Sequence, residues 1–140
     1  MDRVVIYTDG AARGNPGHSA SGYCIYVNGK RAASGAEYNG VATNNSAEYN
    51  AVILALRWCA ENIKARKAHG IEVYSDSELV VRQLNGRYKV KSDEMRRLNY
   101  EAKSLAALFN SVKFGNLPRS NANIAEVDAR LNRLLDELGH

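Results

Sequence analysis

Residues 4–17 read Val4-Val5-Ile6-Tyr7-Thr8-Asp9-Gly10-Ala11-Ala12-Arg13-Gly14-Asn15-Pro16-Gly17. The β-branched and aromatic run predicts a buried strand over residues 3–8. That strand ends on an aspartate and passes into a loop with three glycines. Asp-Gly is a common turn pair. An aspartate at the carboxyl end of a strand is also where α/β sheets build their sites. The two readings of Asp9 are separated by what the rest of the chain places beside it.

Two more strands follow, over residues 20–27 and 31–38. The Asn28-Gly29 pair between them is a strong hairpin signal, because both residues tolerate positive φ. The first three strands therefore read as an antiparallel meander. The period then changes. Over residues 46–63, Ala47, Ala51, Leu54, Ala55 and Trp58 recur at helical spacing. A short strand over 71–75 comes next. A helix over 77–84 is stopped by Asn85-Gly86. A second helix is expected over 93–109, a fifth strand over 111–116 and a last amphipathic helix over 124–138. The order β-β-β-α-β-α-α-β-α implies an α/β fold, a mixed sheet under helical cover. No repeat, linker or low-complexity tract divides residues 1–140, so one domain is expected.

Composition sets bounds. The chain has 140 residues, 45% apolar and 24% charged, the profile of an ordinary globule. No apolar run is long enough to span a membrane, and Met1-Asp2-Arg3 lacks a signal-peptide layout. Cys24 and Cys59 make no metal-type spacing and read as buried thiols of a reducing, cytoplasmic compartment, with a bridge between them left open. The net charge of +4 favours a polyanionic partner without identifying one. Basic residues gather in Lys64-Ala65-Arg66-Lys67 and again between Arg82 and Arg97. Such runs are commonly solvated helix faces.

Three carboxylates each have a plain structural role. Asp9 could form a turn, Asp76 could cap the helix after residues 71–75, and Glu48 could stand third in a capping box led by Asn45. Together they suggest more. Parallel pairing of the strands ending in Asp9 and Asp76 would set those residues about 5 Å apart. Carboxylates that close raise each other's pKa unless a cation intervenes. Hard oxygen ligands at this spacing suit Mg²⁺ or Mn²⁺, which also bind substrate phosphates.

YTDGAARGNPG, TNNSAEYNAVILAL, YSDSELVVRQLNGRYKVK and VDARLNRLLDEL occur in the order and rough spacing of type 1 ribonuclease H, and the resemblance covers nearly the whole chain. It implies a ribonuclease H-like fold: a five-stranded mixed sheet, the first three strands antiparallel and the fourth parallel to the first. It also implies an endonuclease that uses two divalent ions to hydrolyse the RNA strand of RNA–DNA hybrids, leaving 5′-phosphate and 3′-hydroxyl ends. By the same resemblance Asp9, Glu48 and Asp76 would be the metal-binding catalytic carboxylates. Gly10 would join the metal site and let the backbone approach substrate closely.

The fourth carboxylate has two candidates. Counting back from the last helix favours Asp128, whereas reading Ala125-Glu126 as a variant of the family's Ala-Asp favours Glu126. Asp128 is the expected one. Either acid would also suit a helix N-terminus. Asn15, Asn44 and Asn45 match minor-groove contacts, where polar side chains read 2′-hydroxyls. Thr43 matches a DNA-phosphate contact, and Lys89 and Lys91 are expected to meet phosphates.

The chain departs from the family in two places. The basic, Trp-containing protrusion is replaced by the short bridge over residues 85–91. The loop before the last aspartate has no histidine. Arg119 is a candidate for its role, while His18, His69 and His140 are expected in loops or at the terminus. No hybrid-binding domain is expected before Met1, and a monomer is expected. Two other classes compete. A silent nucleic-acid-binding module would not need the acidic cluster. A phosphatase with an aspartyl nucleophile would need a second acid two residues from Asp9, where Tyr7 and Ala11 stand.

Overall fold

The computed structural model describes residues 2–64 and 68–140. The basic run over 64–67 is therefore described only at Lys64, and the side chain of His69 lies outside the described residues. The chain forms β1 (Asp2–Gly14), β2 (Gly17–Val27), β3 (Lys30–Ala42), α1 (Asn44–Asn62), β4 (Ala68–Ser75), α2 (Glu78–Leu84), α3 (Asp93–Ala106), β5 (Val112–Asn116) and α4 (Ala122–Glu137). The order expected from the sequence is the order found. The sheet runs β3-β2-β1-β4-β5. β1, β2 and β3 are antiparallel neighbours, β4 lies parallel to β1, and β5 lies parallel to β4. Asn28 and Gly29 both take positive φ, 51° and 81°, which is the backbone a two-residue hairpin between twisted strands requires.

The strands are longer than their apolar patterns. β1 does not end at Asp9: it pairs with β2 as far as Gly14 opposite Gly17, with Asp9 opposite Gly22. What ends near Asp9 is the parallel ladder to β4, whose last pair is Tyr7 with Tyr74. Apolarity marks where a strand is covered on both sides, whereas residues 10–14 are held by backbone pairing on one side only.

Strand alternation divides the side chains between two layers. Val4 and Ile6 of β1, with Ile25, Ile71 and Val73, face a core closed by Tyr49, Val52, Leu56 and Cys59 of α1, Val80 and Leu84 of α2, and Leu98 and Ala102 of α3. The opposite face carries Ala11, Ala20 and Ala36, against which α4 packs Leu131 and Leu135. Small residues on the strands let that helix lie close. Each fully buried leucine there contributes roughly 1.5–3 kcal/mol. The buried stripe of α1 differs from the expected one. Val52, Leu56 and Cys59 are deeply buried, while Leu54 and Trp58 are half-buried.

The two cysteines lie on opposite faces of the sheet. Ile25 joins the core that contains Cys59, so its strand neighbour Cys24, opposite Tyr7, points the other way. Both are free and buried, and burial pushes the Cys59 thiol up to about 12. His18 stands within β2 rather than in a loop, its ring stacked 3.7 Å from that of His140.

Candidate active site

The parallel register brings two aspartates level. Tyr7 pairs with Tyr74, so Asp9 and Asp76, each two residues farther on, extend the two strands side by side. Asp9 is 1% exposed. Asp76 lies just before Ser77, whose hydroxyl caps α2 by accepting from Val80 N. The cap is thus Ser77, and Asp76 is not consumed by it.

Glu48 arrives from α1. The N-cap of that helix is Thr43, whose hydroxyl accepts from Ser46 N at 3.1 Å. The capping box expected from Asn45 is therefore absent, and Glu48 stands past the first turn. Glu48 is buried, with 7% of its surface exposed. Gly10 makes the approach possible. A Cβ there would lie 2.3 Å from the carbonyl carbon and oxygen of Ala47 and 2.6 Å from Glu48 N. Gly10 is buried against α1, so its lack of a side chain serves helix–strand contact. Beneath the same turn, Ser21 Oγ donates to the Ala47 carbonyl, and Asn39 Nδ2 donates to Ser21 Oγ at 2.7 Å. Neither residue stands out in the sequence, because their convergence depends on the β2–β3 register.

Asp9, Glu48 and Asp76 each offer a carboxylate oxygen, all within 4.8 Å of one another. Taken as ionised groups, both oxygens of Asp9, Oε1 of Glu48 and Oδ1 of Asp76 are buried and have no donor. Burial, proton sharing with Asp128 and the charges of Asp76 and Asp128 push Asp9 up to about 9. Burial, followed by hydrogen bonding to Asp76 and the charges of Asp9 and Asp76, holds Glu48 well above the ordinary carboxylate range, while a backbone hydrogen bond with Gly10 opposes this. Buried anions without donors are costly unless paired or metal-bound. An all-oxygen, highly charged donor set of this kind fits a hard divalent cation.

The two candidates for the fourth acid separate. Asp128 faces Asp9 from α4, its carboxylate also accepting from Asn132 Nδ2 at 3.1 Å. Glu126 points elsewhere and pairs with Arg31 of β3 at 2.6 Å. Arg119 places Nε 3.4 Å from Asp76 Oδ2 with its side chain 77% exposed, and the Asp76 carboxylate, ahead of Asp9 and Asp128, strengthens its hold on its proton.

The expected substrate residues fall in two groups. Asn15 Oδ1 accepts from Asn44 N at 3.1 Å, and Asn44 Oδ1 accepts from Ala12 N at 2.8 Å. These bonds tie the β1–β2 hairpin to the start of α1, beside the capping Thr43. Asn45, Lys89 and Lys91 instead line a groove of about 530 Å³ with Arg87, Tyr88 and Leu79.

Residues 7–131 match the family model described as "Reverse transcriptase-like". The chain is 38% identical over 136 residues to a protein of Halobacterium salinarum named Ribonuclease HI, covering 96% of this chain and 65% of that protein. It is 36% identical over 126 residues to the Bifunctional protein Rv2228c of Mycobacterium tuberculosis, covering 89% of this chain and 34% of that one. The chain thus spans about two thirds of the first relative and one third of the second. Among solved structures, RNase H1 from Halobacterium salinarum superposes with a TM-score of 0.87 at 37% identity, covering 96% of this chain and 98% of that one. LC11-RNase H1, solved in complex with an RNA/DNA hybrid, superposes at 0.90 with 34% identity, covering 98% and 99%. Superposition at TM-scores of 0.87 and 0.90, a matching family model over most of the chain and identities above a third place this chain in the ribonuclease H family.

Proposed function

We propose that this chain is a metal-dependent ribonuclease H that hydrolyses the RNA strand of RNA–DNA hybrids and leaves 5′-phosphate and 3′-hydroxyl ends. The carrying observation is the convergence of Asp9, Glu48 and Asp76 within 4.8 Å, with buried oxygens that have no donor. A structural solvated cluster would not be buried in this way. Asp9, Glu48 and Asp76, joined by Asp128 from α4 and by the Gly10 backbone, are the groups we assign to hold Mg²⁺ or Mn²⁺. Two such ions supply activation of a water for in-line attack and neutralise charge on the leaving 3′ oxygen.

The chain's own residues do the rest. The shared register of β1 and β4 fixes the spacing of Asp9 and Asp76. Gly10 and Ser21 set the height of α1 and with it Glu48. Asp128 adds negative charge next to Asp9. Arg119 offers an exposed cation beside Asp76 and takes the place of the absent loop histidine, where it can meet a phosphate or its departing product. The amide groups of Asn15, Asn44 and Asn45 would face the minor groove of the hybrid, where 2′-hydroxyls mark the RNA strand. Lys89 and Lys91 would meet backbone phosphates and make binding salt-dependent.

The test uses labelled hybrid, duplex RNA and duplex DNA with Mg²⁺, Mn²⁺ or chelator. Metal-dependent cleavage of the hybrid is expected, abolished by Asp9→Asn with hybrid binding retained. Binding without cleavage under either metal would favour a silent binding module instead.

A further inference from the structure

The sheet face that carries Asp9 is only half covered. α4 packs over Ala11, Ala20 and Ala36, and the region nearer the start of β1 and β4 is left as an open groove of about 510 Å³. That volume is within the range of small-ligand sites. Its floor is aromatic. Tyr7 stacks on Tyr74 with ring centroids 5.8 Å apart, and Tyr26 meets Tyr7 edge-on at 6.0 Å. Gly115 of β5 shapes that floor: a Cβ there would lie 2.8 Å from the Tyr74 ring. The Cδ1–Cε1 edge of Tyr74 occupies the space a side chain at residue 115 would take, and the ring stacks with Tyr7.

Polar groups stand at the ends. Arg3, with its side chain 72% exposed, pairs with Glu72 at 2.9 Å, and Tyr74 donates its hydroxyl to Glu72 at 3.0 Å. Opposite them, Asn121 and Asn123 line the groove. Asn121 Oδ1 is occupied as the cap of α4, while its amide nitrogen and the whole amide of Asn123 have no hydrogen-bond partner among the described residues. Arg3 and the exposed Lys30, adjacent to the groove-lining Gly29, supply positive charge at the rim.

We infer that this groove binds an unpaired nucleobase of a single-stranded nucleic acid, a site separate from the acidic cluster. Flat aromatic surfaces on neighbouring central strands stack bases. The free amides of Asn121 and Asn123 can hydrogen-bond a base edge, while Arg3 and Lys30 complement the flanking phosphates. The Tyr7–Tyr74 layer lies directly below the Asp9–Asp76 layer, and the groove wall at Leu117 and Asn121 borders Arg119, so an occupied groove would touch the loop beside the acidic site.

The experiment measures binding of a fluorescently labelled single-stranded oligodeoxynucleotide by anisotropy in chelator, where no hydrolysis interferes. Tyr74→Leu and Asn123→Ala are expected to weaken binding, the tyrosine change by roughly tenfold, while Lys103→Ala, an exposed cation of α3 outside the groove and the acidic site, leaves it unchanged. Chemical shifts of the Tyr7 and Tyr74 rings should move on titration. Unchanged affinity in Asn123→Ala and in a Tyr74→Leu variant with native circular dichroism would overturn the proposal. So would an equal loss in Lys103→Ala, or equal competition by free adenosine monophosphate. None of these readouts depends on cleavage, so they stand or fall apart from the ribonuclease reading.

Discussion

Gly10 rests against Ala47 so closely that a methyl group on its α-carbon would sit 2.3 Å from the Ala47 carbonyl. Glu48 follows directly in the chain, so this contact sets the distance between the helix that brings Glu48 and the strand that brings Asp9. Gly10→Ala must push α1 outward. Overpacking of this kind costs about 1–3 kcal/mol. The variant should lose that much in chemical denaturation and should lose most hybrid cleavage even where it is fully folded. Ser21→Ala, which removes only the hydroxyl under the same carbonyl, should show a smaller loss of both.

The acidic cluster makes the metal-free fold sensitive to pH. Asp9 titrates near 9 in the fold against 3.8 as an isolated side chain. The fold therefore holds this proton more tightly than the unfolded chain does. The resulting stability is complete below 3.8, falls as pH rises and is lost through about 9. Thermal melts in chelator should show a falling Tm over this window. Asp9→Asn removes the charge, and at pH 8 in chelator its Tm should exceed that of the parent, by a free energy of about 1–3 kcal/mol.

Divalent cation should reverse that penalty. Saturation at a hundred times Kd would stabilise the fold by about 2.7 kcal/mol. Mg²⁺ or Mn²⁺ should therefore raise Tm at pH 8 more than at pH 5, because the ligands must give up protons to bind. Asp9→Asn should show little of this rise in the same calorimetric scans.

The two candidate acids of α4 should behave differently. Asp128 faces Asp9, whereas Glu126 is paired with Arg31. Asp128→Asn should lower kcat for hybrid cleavage by at least about tenfold, the loss expected when a metal-ligand or its support is removed. Glu126→Gln should stay within about twofold, since a half-exposed ion pair contributes only about 0–1 kcal/mol. Comparable losses in both would remove the distinction.

Arg119 lies beside Asp76 yet is mostly exposed. Arg119→Ala should reduce turnover more than substrate binding and leave Tm nearly unchanged. Arg119→Lys should restore part of the rate, since charge is retained while the planar donor fork is lost. Steady-state kinetics on a hybrid substrate read both.

Much of the architecture was legible because its causes are local. Alternating β-branched residues, the Asn28-Gly29 pair and the helical recurrence after Thr43 each act over a few neighbours, and the order of nine elements followed from them. Asp9 and Asp76 could be read as partners because both stand just past apolar strand runs. The ends of the strands were less legible. Residues 10–14 carry no apolar pattern; past the end of the β4 ladder they pair with β2 on one side only.

The sequence by itself determined the element order, the hairpin and the identities of the carboxylates at Asp9, Glu48 and Asp76. Tertiary structure alone decided which acid of α4 meets them. Glu126 and Asp128 are two residues apart and so point about 200° apart around a helix with 3.6 residues per turn; only the seating of Leu131 and Leu135 on the sheet turns Asp128 toward Asp9. The same holds for Gly10, whose partner Ala47 is distant in sequence, for the cysteines on opposite faces, and for the tyrosine floor over Gly115. Each depends on how separate elements pack, and periodicity within one element carries no information about its neighbour.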